Sequence, residues 1–358
     1  MIGAFQLSCR TPLVWFGAGR ALDLPRRVDQ LGAQRVLVAC TPSGKRRYAR
    51  VLEALGARLA GVFAQAQPHC PIDVAQAALD RFRLERCDCV VSIGGGSSIG
   101  LGKFIAVETG APHIALPTTL SGSEMTPLFG VLVDGEKRSR REPRALADTV
   151  IADASLAVTL PLRETASTGM NAMAHCIEAF YMADRNPVTD AIAQQGVDAL
   201  YGALKRLATT PADLEAREQA AFGALLGGFL VASVGIGLHH RICHVLGGRF
   251  GAPHGETNGA VLPHVLAFNA PAIPAALGRL EPVFGPRPAH ALQALARSLG
   301  TPIALRDLDV HRAALPEVAR EVLRHAGPNP RPVSESVLIE LLEQAWVGST
   351  PLETSHVG

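Results

Sequence analysis

Short apolar runs alternate with amphipathic segments along the first part of the chain, and this alternation constrains the fold more than any other feature. Predicted strands and helices follow one another at residues 35–40, 45–59, 61–63, 74–84, 89–93, 113–116 and 150–153. The strand runs are apolar on both faces, as expected for strands that helices cover on either side. An α/β domain with a mostly parallel sheet is therefore predicted.

The strand pattern ends after residue 153, and most of the remaining chain has the apolar spacing of helices. Predicted helices lie at residues 163–182, 187–207, 211–238, 240–250 and 288–299. We therefore predict two domains, an α/β domain at residues 1–157 and an all-helical domain at residues 158–358.

One segment of the helical region raises the question of a membrane. Residues 220–238 hold 19 residues without a charge, close to the ~20 that a membrane-spanning helix needs. A helix that is apolar all round also forms the centre of a large helical domain. Because the sequence offers no second candidate span, we expect a buried core helix and no membrane association.

Composition and charge exclude several classes of partner. The 34 Lys and Arg residues balance the 32 Asp and Glu residues to a net charge of +2, without the basic excess of a nucleic-acid-binding protein. Seven cysteines in a chain of 358 residues form neither a disulfide framework nor a zinc-ribbon spacing. Since the N-terminus also lacks the pattern of a secretory signal, reduced thiols and a cytoplasmic location are expected.

A glycine-rich segment follows the predicted strand at 89–93 and opens a helix. It reads Ile93-Gly-Gly-Gly-Ser-Ser-Ile-Gly-Leu-Gly-Lys103. Glycines let backbone N–H groups approach an anion, a helix N-terminus favours negative charge, and Ser97 or Ser98 can cap the helix. A second, hydroxyl-rich loop at residues 117–124 follows the next strand. Together the two loops predict a site for a phosphate-bearing ligand.

Histidines cluster in the predicted helical domain. Asn171 and His175 are four residues apart and share a helix face, as do His240 and His244. Nearby stand His239, which precedes His240, and His254, which lies in a Pro-His-Gly sequence. Such a group either holds a divalent metal or places proton donors beside a substrate.

Several motifs in this order resemble the iron-containing alcohol dehydrogenase superfamily and, within it, the maleylacetate reductases. The resemblance extends over nearly the whole chain. It rests on the motifs Phe16–Gly19, Gly94–Ser97, Pro117–Thr119, Gly169–His175, Gly237–His240, Cys243–Gly248 and Pro253–Gly255. It implies a dehydroquinate synthase-like architecture, with a Rossmann-like nucleotide-binding domain followed by a helical catalytic domain.

The resemblance also implies NADH or NADPH as hydride carrier. The residues expected to bind the cofactor are Gly95, Gly96, Ser97, Thr118, Thr119, Ser123 and Lys137. Thr41 stands where many relatives have an acidic residue after a strand, and such an acid would repel the 2′-phosphate of NADPH. Its absence predicts that both cofactors are accepted.

The metal ligands of the family are one aspartate and three histidines, and the resemblance places these positions at Asn171, His175, His240 and His254. An amide at the aspartate position removes a negative charge and a strong oxygen donor. Losing that charge beside a dication costs several kcal/mol. We therefore expect a vestigial site and no bound metal.

The resemblance favours reduction of the carbon–carbon double bond of maleylacetate to 3-oxoadipate, a step in the degradation of aromatic compounds. The expected catalytic residues are Asn171, His175, His240, His244 and His254. Arg241 and Arg249 are candidates to bind a carboxylate of this small dicarboxylate substrate. A homodimer is the expected assembly.

Three other activities remain open from the sequence. The first is a metal-dependent alcohol dehydrogenase acting on a small alcohol or aldehyde. The second is a lyase that resembles dehydroquinate synthase and uses NAD only transiently. The third is a nucleotide-binding protein without catalytic activity.

Overall fold

The structure of this protein is a computed structural model that describes residues 4–325 and 327–352, without the side chains of Lys137 and His254. The described chain divides into two compact units. One contains Cys9–Leu160, and the other contains the chain from Pro161 onward together with residues 4–8. The division falls three residues beyond the boundary predicted from the sequence.

The first unit is an α/β domain. Its strands are β1 (Leu13–Phe16), β2 (Val36–Ala39), β3 (Leu59–Phe63), β4 (Cys89–Gly94), β5 (His113–Pro117), β6 (Leu128–Val133), β7 (Glu136–Arg141) and β8 (Thr149–Ala152). Its helices are α1 (Leu24–Gln30), α2 (Gly44–Arg47), α3 (Ala49–Leu55), α4 (Ile72–Leu84) and α5 (Gly96–Thr109).

Six of these strands form one parallel sheet in the order β1-β8-β5-β4-β2-β3. From β2 the chain proceeds outward to β3 and then returns to the other side of β2 as β4. Ligands bind beyond the carboxyl ends of parallel strands where the strand order reverses in this way. The loops after β2, β4 and β5 therefore lie at the edge of the sheet that is suited to a ligand.

Both faces of the parallel sheet are covered by apolar side chains. One core packs α1 and α3 against the sheet and includes Leu24, Val28 and Leu55. The other packs α4 and α5 against the opposite face and includes Leu79 and Ile105. The two cores explain why the strand sequences are apolar runs and confirm the predicted parallel α/β sheet.

One local prediction in this unit is wrong, and one hairpin was missed. The helix predicted over residues 45–59 is instead α2 and α3, and the chain has turned into β3 by Leu59. Gly56, with a φ of 53°, ends α3 because a positive φ is easily reached only without a side chain. The antiparallel hairpin of β6 and β7 was not predicted, because the six residues of β7 are all polar.

The second unit is built from helices. They are α6 (Leu162–Ala179), α7 (Pro187–Thr209), α8 (Leu214–Val234), α9 (Leu238–Phe250), α10 (His254–Asn269), α11 (Pro274–Phe284), α12 (Pro288–Ser298), α13 (Leu315–Arg324) and α14 (Glu335–Val347). One core of this unit packs α9, α10, α13 and α14 together, with Ile242 and Leu246 of α9 fully buried. This unit confirms the predicted helical region.

The sequence predicts one helix through the long apolar segment at residues 220–238, but the structure has two helices there. α8 ends at Val234, and Gly235 has a φ of 80° before α9 begins at Leu238. Among the described residues no single helix has the length and apolar character of a membrane span. Within the part of the chain that the structure describes, α8 and α9 taken together are the one pair that meets that test, and they are bent by 98° at their junction.

Candidate active site

The glycine-rich loop joins β4 to α5. β4 ends at Gly94, whose φ of 148° is rarely adopted by a residue with a side chain. Gly95 is the N-cap of α5 and supplies no side-chain hydrogen bond, so the prediction that Ser97 or Ser98 caps this helix is wrong. The first N–H groups of α5 therefore meet no capping side chain, at the positive end of the helix dipole.

Near the first N–H groups of α5 lie open space and, among the described residues, unpaired hydroxyl groups. A Cβ at Gly96 would meet no atom within 4 Å, whereas one at Gly95 would lie 2.7 Å from Cγ2 of Thr119. The hydroxyls of Ser98 and Thr119 are buried and have no hydrogen-bond partner among the described residues. A phosphate group would fit here, because the backbone N–H groups face open space and the buried hydroxyls nearby can donate to it.

The loop after β5 lies beside the glycine-rich loop because Gly94 pairs with Pro117 in the sheet. The backbone N–H of Thr118 donates to the carbonyl of Gly94 at 3.0 Å. The hydroxyl of Tyr48 lies 3.3 Å from that of Thr118 and donates to it. The structure thus brings together the predicted residues Gly95, Thr118 and Thr119, and it adds Tyr48, which sequence reasoning missed.

Lys103 anchors the rest of the second loop. Its fully buried ammonium donates to the carbonyls of Ser123, Thr126 and Leu128 at 2.6–2.8 Å. Burial lowers the pKa of Lys103 to about 7, a shift that Glu124 opposes, and burial raises the pKa of Glu124 to about 7. Since Lys103 belongs to α5, one helix holds both loops. The isolated lysine inside the apolar run after residue 98 was the sequence signal for this role.

The remaining predicted cofactor residues occupy three places in this unit. Thr41 follows β2 by two residues, with its hydroxyl 3.4 Å from that of Ser43. Ser97 is half-buried in the first turn of α5. The backbone of Lys137 belongs to β7, and its side chain lies outside the described part of the structure.

In the helical unit, α6 and α9 bring predicted histidines side by side. The rings of His175 and His240 stack with centroids 4.4 Å apart and an angle of 20° between their planes. His239 packs edge-on to His240 at 4.8 Å, and the ring of His244 is 6.2 Å from that of His240. His240 is buried, whereas His244 is exposed.

A buried carboxylate that sequence reasoning missed holds one end of this cluster. Oε2 of Glu178 accepts a hydrogen bond from the backbone of Gly237 at 2.9 Å and lies 2.6 Å from Nδ1 of His240. Oε1 of Glu178 accepts from the backbone of His239 at 2.9 Å. Burial raises the pKa of Glu178, and neighbouring His239 and the backbone N–H groups oppose that shift. In the sequence Glu178 is one glutamate in a helix, without a distinguishing motif.

The predicted amide position lies one turn before His175. Nδ2 of Asn171 is 3.4 Å from Nε2 of His175, and the Asn171 side chain is buried. The amide N–H therefore donates to this imidazole, which an ionised carboxylate at the same position would be unable to do.

Compared with one aspartate and three histidines, this donor set lacks an anionic ligand. It offers the neutral amide of Asn171 and the imidazoles of His175 and His240, while the neighbouring carboxylate of Glu178 is turned onto Nδ1 of His240 and two backbone N–H groups. Imidazoles bind Zn²⁺ and Fe²⁺, whereas Mg²⁺ and Ca²⁺ require oxygen ligands; the amide in place of a carboxylate removes the charge that would strengthen the hold on a dication. Among the described side chains, which leave out that of His254, no three His, Cys, Asp or Glu side chains form a metal-binding group.

The two candidate arginines lie in different surroundings. Arg241 is half-buried, and its guanidinium donates to the carbonyl of Pro328 at 3.4 Å. Arg249 forms ion pairs with Glu317 and Glu321, both at 2.8 Å. These ion pairs already balance the charge of Arg249 within the unit. The geometry therefore favours Arg241 as the residue that binds a carboxylate of the substrate.

His254 begins α10, but its side chain lies outside the described part of the structure. Its predicted place in the cluster therefore stays a prediction. The seven cysteines all lie in described segments and form no disulfide, in agreement with the reduced thiols expected from the sequence.

Comparison with known proteins identifies the family. The model of the iron-containing alcohol dehydrogenases matches residues 11–154, and that of the C-terminal domain of the same family matches residues 165–346. A maleylacetate reductase of Burkholderia cepacia is 43% identical over 98% of this chain and 100% of that protein. Maleylacetate reductase 1 of Cupriavidus pinatubonensis is 41% identical over 97% of this chain and 98% of that protein.

Solved structures agree with this assignment. The crystal structure of maleylacetate reductase from Agrobacterium tumefaciens superposes with a TM-score of 0.94, at 38% identity, over 98% of this chain and 100% of that one. Sequence and fold similarity therefore extend over both units. The chain belongs to the iron-containing alcohol dehydrogenase family and groups within it with proteins named maleylacetate reductase.

Proposed function

We propose that this chain reduces the carbon–carbon double bond of maleylacetate to 3-oxoadipate with NADH or NADPH. Its relatives of that name at 43% and 41% identity over nearly the full length support the proposal. The single observation that carries it is the amide of Asn171 beside His175, in a cluster that retains its imidazoles. A cluster of this composition favours chemistry by protein groups over chemistry at a metal.

The glycine-rich loop would hold the cofactor. The N-terminus of α5 at Gly95, Gly96 and Ser97 would bind the pyrophosphate, with the hydroxyls of Thr118, Thr119 and Ser123 beside it; Thr41 and Lys137 complete the proposed set. When bound, the reduced nicotinamide supplies a hydride to the alkene carbon β to the ketone. The uncapped helix end and the unpaired hydroxyls support this assignment.

The imidazole cluster would complete the reduction. Once the β carbon has gained a hydride, the electron pair of the double bond lies in an enolate, and the α carbon must gain a proton. His240, His244 and His254 are the candidates for two roles: a hydrogen-bond donor to the enolate oxygen, and an imidazolium that gives its proton to the α carbon and becomes neutral. A preorganised donor at a developing oxyanion contributes ~3 kcal/mol. Asn171 and His175 would orient the cluster from α6.

The two carboxylates of the substrate call for cationic groups. Arg241 is the stronger candidate because it neighbours His240 in sequence and makes one long hydrogen bond, to Pro328. Arg249 is the weaker candidate because Glu317 and Glu321 already engage its guanidinium.

A metal-dependent alcohol dehydrogenase is the second candidate function. The observation in its favour is the 4.4 Å stacking of His175 and His240, which keeps two family ligand positions together. Such an enzyme would oxidise a small alcohol and would lose its activity when metal is removed.

We further propose that the protein acts in the cytoplasm as a homodimer and serves the breakdown of aromatic compounds. Seven unpaired cysteines suit a reducing compartment. Closed twofold symmetry is the commonest arrangement of homo-oligomers.

The experiment that tests the proposed reaction follows nicotinamide oxidation with maleylacetate as substrate and identifies the product. We expect one 3-oxoadipate formed for each NADH or NADPH consumed. Turnover without net cofactor consumption would indicate a lyase instead. Nucleotide binding without any turnover would indicate a nucleotide-binding protein without catalytic activity.

A further inference from the structure

The hydrogen bond between Glu178 and His240 joins two side chains that are both buried. Their side chains are 1% and 2% exposed, and Oε2 of Glu178 lies 2.6 Å from Nδ1 of His240, within hydrogen-bonding distance. Because both oxygens of Glu178 also accept backbone N–H groups, the carboxylate acts as an acceptor, and Nδ1 of His240 would donate to it. Nε2 is then the ring nitrogen through which His240 would act on the substrate: it accepts a hydrogen when the ring is neutral and donates one when the ring is the protonated imidazolium.

The carboxylate is itself held in place from two directions. It accepts from the backbone of Gly237 and of His239, the residues on either side of the first position of α9. Glu178 thus fixes the start of the helix that carries His240 and also fixes the ring of His240. A side chain held by three hydrogen bonds has little freedom to release the imidazole.

Gly237 is an independent sign that this contact is built into the fold. Its φ of −99° and ψ of −158° are open to any residue, so backbone strain does not require a glycine there. A Cβ at this position, however, would lie 2.8 Å from Cδ of Glu178. The missing side chain is what lets the carboxylate approach the backbone.

We propose that Glu178 is a positioning residue, which fixes the ring orientation and the tautomer of His240 so that Nε2 faces the reacting substrate. The inference rests on the proposed function in one respect, namely that His240 acts on the substrate. Outer carboxylates that orient a metal-bound histidine change metal affinity or activity by about 10- to 100-fold when removed, and we expect an effect of similar size for a histidine that acts on a substrate.

The first test replaces Glu178 by glutamine, which keeps the shape but turns one acceptor into a donor. We expect Glu178→Gln to lower kcat for maleylacetate by at least about tenfold and to leave KM for NADH within about twofold, because the nucleotide loop is untouched. Glu164→Gln is the matched control, since Glu164 is an exposed carboxylate in the first turn of the same helix. We expect this control to retain full kcat.

The second readout is spectroscopic and does not depend on activity. In protein labelled with ¹⁵N-histidine, we expect His240 of the wild type to carry its hydrogen on Nδ1, with its signals assigned by their loss in His240→Gln. Glu178→Gln should move that hydrogen toward Nε2 or average it between the two nitrogens. Gly237→Ala, which displaces the carboxylate without changing it, should produce the same spectral change and a loss of kcat.

These measurements separate the possible failures. A wild-type His240 with its hydrogen on Nε2, or an unchanged tautomer and kcat in both Glu178→Gln and Gly237→Ala, would overturn the proposal. If Glu178→Gln does not fold, the Gly237→Ala spectrum and kcat decide instead. Wild-type protein that fails to reduce maleylacetate overturns the proposed function, while the ¹⁵N spectra still establish whether Glu178 sets the tautomer of His240.

Discussion

Nδ2 of Asn171 lies 3.4 Å from Nε2 of His175, one turn along α6. In this pair the amide meets the imidazole as a donor of hydrogen, and this contact is why we propose that the cluster works without a metal. A carboxylate in the same place would meet it as an acceptor and would add the negative charge that a dication needs.

The amide should therefore set the metal affinity of the cluster. We expect Asn171→Asp to raise the affinity for Zn²⁺ or Fe²⁺ by at least about tenfold, or ~1.4 kcal/mol, and to lower maleylacetate reduction. Metal content after dialysis against each ion measures this. Asn171→Ala, which removes the amide without adding charge, should bind no more metal than the wild type. Equal metal content in wild type and Asn171→Asp would contradict the account.

The glycine-rich loop offers a pair of substitutions with different expected effects. At Gly96 a Cβ meets no protein atom within 4 Å, so Gly96→Ala should keep its melting temperature but raise KM for NADH by at least tenfold if the backbone lies against a pyrophosphate. Gly95→Ala should raise KM and also lower the melting temperature, since its Cβ would displace Thr119.

Gly202→Ala in α7 is the matched control for this pair, because a Cβ there also meets nothing within 4 Å. It should stabilise the helix by up to about 1 kcal/mol and leave KM for NADH unchanged. An unaltered KM in Gly96→Ala would show that the pyrophosphate does not lie at this loop.

Cofactor choice should depend on the residue after β2. With Thr41 in place we expect kcat/KM values for NADH and NADPH within about tenfold of each other, because no acid repels a 2′-phosphate. Thr41→Asp should lower kcat/KM for NADPH by more than about tenfold, as a like charge would cost over ~1.4 kcal/mol, while NADH changes little. A preference beyond about a thousandfold by the wild type, or ~4 kcal/mol, would refute this.

Stability should fall in mild acid because of buried His264. Burial lowers the pKa of His264 from 6.5 to about 4, and neither ring nitrogen has a hydrogen-bond partner among the described residues. Below pH 6.5 His264 binds a proton in the unfolded chain, whereas in the folded chain it does not bind one until about pH 4. The free energy of unfolding should therefore decrease by up to ~1.4 kcal/mol per pH unit as the pH falls through that range.

His264→Leu should remove this contribution. We expect urea unfolding of the variant to show a shallower loss of stability between pH 6.5 and pH 4 than the wild type, because leucine binds no proton. At neutral pH the free energy of unfolding of the variant should be at most about 1.5 kcal/mol lower than that of the wild type, since the substitution nearly conserves volume. Parallel pH curves for the two proteins would show that His264 does not titrate as described.

The sheet and the helical unit could be predicted from the sequence because hydrophobic runs and turn residues are local signals. The runs at Val36 and Val90 end in polar or glycine-rich turns, and the structure places strands at both. β7 could not be predicted, since six polar residues pair only because β6 lies beside them. The end of α8 at Gly235 was missed because the apolar sequence continues across the break.

Part of the candidate site could also be predicted, because it depends on local spacing in the sequence. Spacing by four residues puts Asn171 beside His175 within one helix, and the structure shows that contact. The stacking of His175 on His240 and the bond from Glu178 join different helices. Tertiary packing sets such contacts, so the role of Glu178 emerges only from the three-dimensional structure.

Our main proposal is that this cluster handles a dianionic substrate with protein groups and without a bound metal. The direct test measures the iron and zinc content of the purified protein and its rate of maleylacetate reduction before and after treatment with a strong chelator. We expect well under one metal ion per chain and a rate that the chelator leaves unchanged. A full equivalent of iron or zinc, with activity that is lost on its removal and restored on its return, would contradict the account.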